Sequence, residues 1–123
     1  MTDATPQPNG PGVLPVGVER KDATVNVASL APEMTTALAK MGRVHLDLFD
    51  SALVIVTGSE ATGSDRDLYK AGRAVDIMVE AGGPLEQELS LKVLAYLASR
   101  LHLVMFASQH GSSSSHVHME TTD

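Results

Sequence analysis

The stretch AGRAVDIMV, residues 71–79, alternates strictly: Val75, Ile77 and Val79 fall on one side of an extended chain, and Gly72, Ala74, Asp76 and Met78 on the other. A period of two makes a β-strand with one face turned to a core. It also sets a carboxylate in mid-strand beside very small neighbours. Aspartate is depleted in strands and costly to bury unless a cation, a set of donors or water meets it. Whatever this chain folds into must therefore supply Asp76 with a partner on a sheet face.

A second alternation closes the chain. In SSSSHVHMET, residues 112–121, His116, His118 and Glu120 lie on one face and Val117 and Met119 on the other. If this strand pairs near 71–79, an imidazole and the Asp76 carboxylate converge. Between the two alternations and before them, the pattern is helical or loop-like. Leu30, Met34, Ala37, Leu38 and Met41 make a helical stripe, with Ser29 as cap, Pro32 in the first turn and Gly42 as the stop, which predicts a helix over 30–41. Val44, Leu46 and Leu48 alternate with Arg43, His45 and Asp47, and ALVIVT follows FDS; these read as two strands joined by a turn, with His45 a solvated strand histidine. GSEATGSDRD, 58–67, reads as a polar loop. Leu89, Val93, Tyr96, Leu97 and Leu101 give a second helix over about 85–101, LVMFA is a short strand, and SQHGSSSS is a flexible loop. The order helix, strands, helix, strands predicts an α+β domain: a mainly antiparallel sheet with two principal helices packed against it.

Composition narrows the function. The chain has no cysteine, which excludes a disulfide framework and thiolate zinc sites and leaves histidine and carboxylate as the strong metal ligands. With a formal net charge of −6, no basic cluster and no tryptophan, nucleic acid is not an expected partner. No apolar run is long enough to span a bilayer, and the first residues lack a basic start and an apolar core, so neither membrane insertion nor a signal peptide is expected. Pro6, Pro8, Pro11 and Pro15, with Gly10, Gly12 and Gly17, give a start that reads as an extended arm over residues 1–22, ahead of a single domain over 23–123. Such an arm would be a tether, or a clasp onto a protein partner or a neighbouring copy.

LYKAGRAVDI followed about forty residues later by SHVHMET resembles the core of the zinc peptidase superfamily that groups D-Ala-D-Ala carboxypeptidases, phage L-alanyl-D-glutamate endolysins and the hedgehog signalling domain. That family carries Ser-x-His-x-x-Gly-x-Ala-x-Asp on one strand and His-x-His or a related motif near the end. Gly72, Ala74 and Asp76 fall in register with the first motif, and His116 and His118 with the second. The resemblance covers roughly residues 30–121. It implies a hedgehog/D-Ala-D-Ala peptidase-like fold, with zinc held by Asp76 and His118 and with His116 as the catalytic base. The departures are equally specific. Tyr69 stands where the family has its first zinc histidine, Asp67 stands where it often has serine, and the only arginine of the loop after the TG strand, Arg66, is out of register. Asp65, Asp67 and His110 are the side chains that would have to supply a third ligand. A phenol with an ordinary pKa near 10 must lose its proton to bind zinc, at a cost of about 4 kcal/mol at neutral pH.

Two expectations follow from the resemblance. The first is a non-catalytic or catalytically impaired domain acting as a binding or structural module, in the manner of a phage particle component. The second is a zinc-dependent peptidase or carboxypeptidase cleaving peptidoglycan peptides, with zinc polarising the scissile carbonyl and activating water. Either protein would be made without a signal peptide, in the cytoplasm, and would then work in a particle or at the cell wall.

Overall fold

The computed structural model describes residues 12–62, 66–80, 82–110 and 114–122. Strands β1 (Val18–Arg20), β2 (Leu53–Thr57), β3 (Ala74–Val79), β4 (Leu103–His110) and β5 (Ser114–Thr121) form one sheet in the order β1-β2-β3-β5-β4. All neighbours are antiparallel except β1 and β2, which run parallel. Two long helices, α1 (Pro32–Phe49) and α3 (Pro84–Arg100), pack on the sheet, and a five-residue helix, α2 (Arg66–Lys70), precedes β3. This is the α+β architecture that the alternation predicts. Among the described residues, no helix is long and apolar enough to cross a membrane.

The period of two decides which face is buried. Val75, Ile77 and Val79 of β3 are fully buried, with Leu53 and Ile55 of β2 and Val117 and Met119 of β5, against Met34, Leu38 and Met41 of α1 and Leu94 of α3. Each of these large aliphatic side chains stabilises the fold by about 1.5–3 kcal/mol on leaving water. The opposite face carries Asp76, His116, His118 and Glu120. A small cluster of Tyr69, Ala61 and Ala74 covers one end of it.

Several local expectations need correction. Helix α1 does not stop at Gly42 but runs 18 residues to Phe49, and residues 43–48 are helical rather than a strand. The stripe Met34, Ala37, Leu38, Met41 continues through Gly42 and His45 at helical spacing, all of them buried. Gly42 marks a crossing: a Cβ there would lie 2.8 Å from the Gly17 carbonyl oxygen. The helix is ended by Asp50, in the left-handed conformation at φ 53°, whose N–H donates to the Leu46 carbonyl. His45, expected in solvent, is fully buried, between the Ser51 carbonyl at 2.7 Å and the Ser90 hydroxyl at 2.6 Å.

In α3 the buried face is Gln87, Ser90, Leu94 and Ala98, whereas Leu89 and Tyr96 of the expected stripe are 54% and 64% exposed. Hydrophobicity pointed to the wrong face because two of the inward positions are polar and satisfied. Ser90 meets His45, and the Ser115 hydroxyl donates to Gln87 Oε1 at 2.6 Å.

The amino-terminal arm also changes. Residues 1–11 lie outside the described residues, but the stretch from 12 to 20 is built into the domain. Leu14 and Val18 are buried in the core, and Arg20 donates to the carbonyls of Val25 and Gly12. The polar loop expected over 58–67 ends in the first turn of α2, and residues 63–65 lie outside the description. Of the loop expected over 108–115, residues 108–110 and 114–115 extend the β4–β5 hairpin.

Candidate functional site

Register brings the carboxylate and the imidazole together. Antiparallel pairing sets Asp76 of β3 directly opposite His118 of β5, with side chains on the face away from α1 and α3. A bulge in β2 between Ile55 and Thr57 sets Thr57 beside Asp76 on its other side. Helix α2 and Gly72 then deliver Tyr69. Gly72, at φ 74°, packs on the backbone of Ser29–Ala31 and its carbonyl accepts from the Ala31 N–H at 3.0 Å, which pins the turn between α2 and β3.

The result is a compact polar cluster. His118 Nδ1 lies 2.6 Å from Asp76 Oδ1. The Tyr69 hydroxyl donates to the same oxygen at 2.8 Å and lies 2.9 Å from Nδ1. The other imidazole nitrogen, Nε2, is 2.9 Å from Glu120 Oε1. His118 is thus held between two carboxylates, with the Tyr69 ring edge-on at 5.6 Å and the Phe106 ring 6.1 Å away. Partial burial favours the neutral ring. The hydrogen bonds and charges of Asp76 and Glu120 together outweigh it and hold the His118 pKa above the ordinary histidine value. With both nitrogens facing carboxylates, the imidazolium satisfies the cluster best.

A groove of about 610 Å³ runs over this face, lined by Lys21, Val56, Thr57, Met78, Phe106 and His116 together with Asp76 and His118. Its floor is mixed: Val56 and Met78 are half-buried, and Phe106 is 60% exposed. His116, opposite Met78 across the strands, shares the face but stands two residues along from the cluster, in an exposed position.

The remaining candidates separate clearly. Asp67 is exposed on α2, and Asp65 and the side chains of Arg66 and His110 lie outside the described residues. Arg73, beside this cluster in sequence, donates from Nε to the Thr121 hydroxyl at 3.0 Å. Glu120 lies in the same alternation as His118, but no sequence pattern signals its hold on Nε2. The anchoring of Tyr69 has no sequence signal either, because α2 is too short to show a period.

The donor set can be tested against zinc. Tetrahedral ligands at about 2.0–2.1 Å from an ion stand roughly 3.3 Å from one another. The three atoms that converge here are 2.6–2.9 Å apart, at hydrogen-bonding separations. To bind a metal through these atoms, Nδ1 of His118 would have to be free of a proton and Tyr69 would have to give up its phenolic one. Among the described residues, no group of three histidine and carboxylate side chains is arranged to hold a metal ion.

Two measurements follow from this geometry. Tyr69→Phe removes a hydroxyl that serves two partners in a half-buried cluster, and should lower unfolding stability by about 1–3 kcal/mol in chemical denaturation. In an NMR titration His118 should protonate at higher pH than an ordinary histidine, and Asp76→Asn should bring it down.

The fold and the cluster define a class: an α+β open-sheet domain whose exposed face carries a Tyr-Asp-His-Glu hydrogen-bonded cluster beside a mixed groove. No protein-family model, curated protein or solved structure matches the chain.

Proposed function

We propose that the chain is a non-catalytic binding or structural module on a hedgehog/D-Ala-D-Ala peptidase-like scaffold, in which a hydrogen-bonded tyrosine has taken the place of a metal ligand. The observation that carries this reading is the Tyr69 hydroxyl held between Asp76 Oδ1 and His118 Nδ1. A neutral phenol there ties the carboxylate and the imidazole together by hydrogen bonds, at separations shorter than those of ligands sharing one zinc ion. The groove supports binding. An apolar floor from Val56, Met78 and Phe106 with Lys21 and His116 among its lining residues suits a short extended peptide, whose side chains alternate between apolar and polar contacts. Docking to a protein partner or neighbouring copy through the amino-terminal arm rests on the Pro/Gly composition of the first residues, and a place in a phage particle on the resemblance; both belong to the same reading.

The test is metal content. Protein purified without a histidine tag and dialysed against zinc should hold far less than one equivalent and should not cleave peptidoglycan peptides, and Asp76→Ala should leave both results unchanged. Tyr69→His, which supplies a third ligand, an imidazole, beside Asp76 and His118, should tighten zinc binding by about tenfold or more. Stoichiometric zinc in the wild type that is lost in Asp76→Ala would overturn the module in favour of the zinc peptidase.

A further inference from the structure

The sheet has two edges, and they are built differently. At one edge, β1 is three residues long, contains Glu19 and Arg20, and is followed by Lys21. Short length and charge are the devices by which a sheet edge avoids pairing with another chain. At the other edge, β4 runs eight residues, LVMFASQH, with no lysine, arginine, acidic residue or proline. Among the described residues its one sheet neighbour is β5. A strand of this length presents about 27 Å of backbone along its outer side, where no strand of the described residues pairs with it.

Apolar surface flanks that edge on both sides. Towards the open face, Val104 is 38% and Phe106 60% exposed. Towards the helices, a slot of about 280 Å³ between α3 and β4 is lined by Leu91, Ala95, Met105 and Ala107. Val117 and Met119 of β5, the inboard neighbours of Ala107 and Met105, are buried, so the slot opens at the outer border of the sheet. On its rim stand Glu88 and Lys92, one helical turn apart and 3.6 Å from each other, both exposed.

We infer that β4 and the adjoining side of α3 form a homodimer interface, in which two copies pair β4 with β4 antiparallel and continue the sheet across a two-fold axis. The occupant is a second copy because self-pairing satisfies both bare edges at once, whereas an added peptide strand would present an unprotected edge of its own. Antiparallel pairing of a strand with itself is two-fold symmetric, so the slot beside β4 faces the slot of the other copy, and Leu91 and Ala95 close on their equivalents. The same reversal sets Glu88 of one copy toward Lys92 of the other, a self-complementary pair of charges at the rim. This surface lies at the border of the sheet and does not depend on whether the cluster at Asp76 binds metal or peptide.

Sedimentation equilibrium of the full chain should give a dimer, twice the 13.0 kDa of one chain. Hydrogen exchange should show β4 amides protected at high protein concentration and losing that protection on dilution. Ala95→Glu adds a charge at an exposed position of the slot. It should produce a monomer with an unchanged circular dichroism spectrum and unprotected β4 amides. Glu88→Lys and Lys92→Glu should each weaken the dimer by about tenfold, and the two together should restore most of it, since the complementary pair is rebuilt with its signs exchanged. A wild type that stays monomeric at about 100 μM, where a specific interface of this kind assembles, would overturn the proposal. So would a dimer untouched by Ala95→Glu, or a monomer whose β4 becomes protected only on adding an extended peptide.

Discussion

His45→Leu is expected to cost about 3 kcal/mol of folding stability, and to remove a loss of stability that the wild type should show below about pH 6.5. The Ser51 carbonyl can only accept, so it fixes the proton on Nδ1. Nε2 is then an acceptor, and the Ser90 hydroxyl donates to it. The side chain is fully buried, with the Phe49 ring 4.7 Å from its own. Leucine has about the right volume but leaves a hydroxyl and a carbonyl without their partner in the interior, and unsatisfied groups dominate the cost. Adding Ser90→Ala to His45→Leu should therefore recover about 1 kcal/mol, because removing both partners of a buried bond is cheaper than removing one.

The pH dependence follows from the same site. Burial lowers the His45 pKa, and the bond to Ser51 opposes that only partly. As pH falls below the ordinary histidine value, the unfolded chain takes up a proton before the folded one does, so stability drops from there downward. His118 has the opposite sign. Its folded pKa is raised, so its contribution is complete below the ordinary histidine value and is lost as pH rises through the folded one. The two windows lie on either side of about pH 6.5, and urea midpoints of the wild type should peak near that pH. In His45→Leu the acid limb just below about pH 6.5 should flatten while the alkaline limb remains. Equal slopes in both proteins below pH 6.5 would show that His45 is accessible to protons in the folded state.

The second large effect is expected at Gly72. Gly72→Ala should lower stability by about 3 kcal/mol and weaken the cluster from a distance. At φ 74° an L side chain is disfavoured by about 1–2 kcal/mol. The added methyl would also lie against the Ser29 carbonyl and the backbone of Leu30 and Ala31, which cannot move aside as a side-chain tip can. The strand and α2 would have to shift together, and Tyr69, three residues earlier, would move with them. The NMR titration of His118 should then resemble that of Tyr69→Phe. Gly83→Ala is the control. Nothing lies within 4 Å of a Cβ at Gly83, and its φ of −92° suits any residue, so its effect should stay within about 0.5 kcal/mol.

Much of the fold was legible because strand alternation is a local property. The faces of β3 and β5 were readable residue by residue, and the meeting of Asp76 with His118 needed only that these two strands be neighbours in the right register. The misread helices show where locality fails. Residues 43–48 alternate like a strand and also continue the stripe of α1 at helical spacing. Only packing against the core chose between the two periods. In α3, Gln87 and Ser90 face inward because partners from other elements, Ser115 and His45, complete their hydrogen bonds. No hydrophobicity pattern records a partner 28 or 45 positions away.

The same division runs through the candidate site. Sequence alone determined that a carboxylate and two imidazoles lie on solvent-side strand faces, that cysteine ligation is excluded, and that tyrosine stands seven positions before Asp76, because these depend on residue identity and a period of two. Tertiary structure decided that Tyr69 reaches back to Asp76 and His118, that Glu120 holds the far nitrogen, and that among the described residues β4 and β1 form the two edges of the sheet. Those outcomes depend on which strands become neighbours, and strand order is set by burial summed over the whole sheet rather than by any one segment.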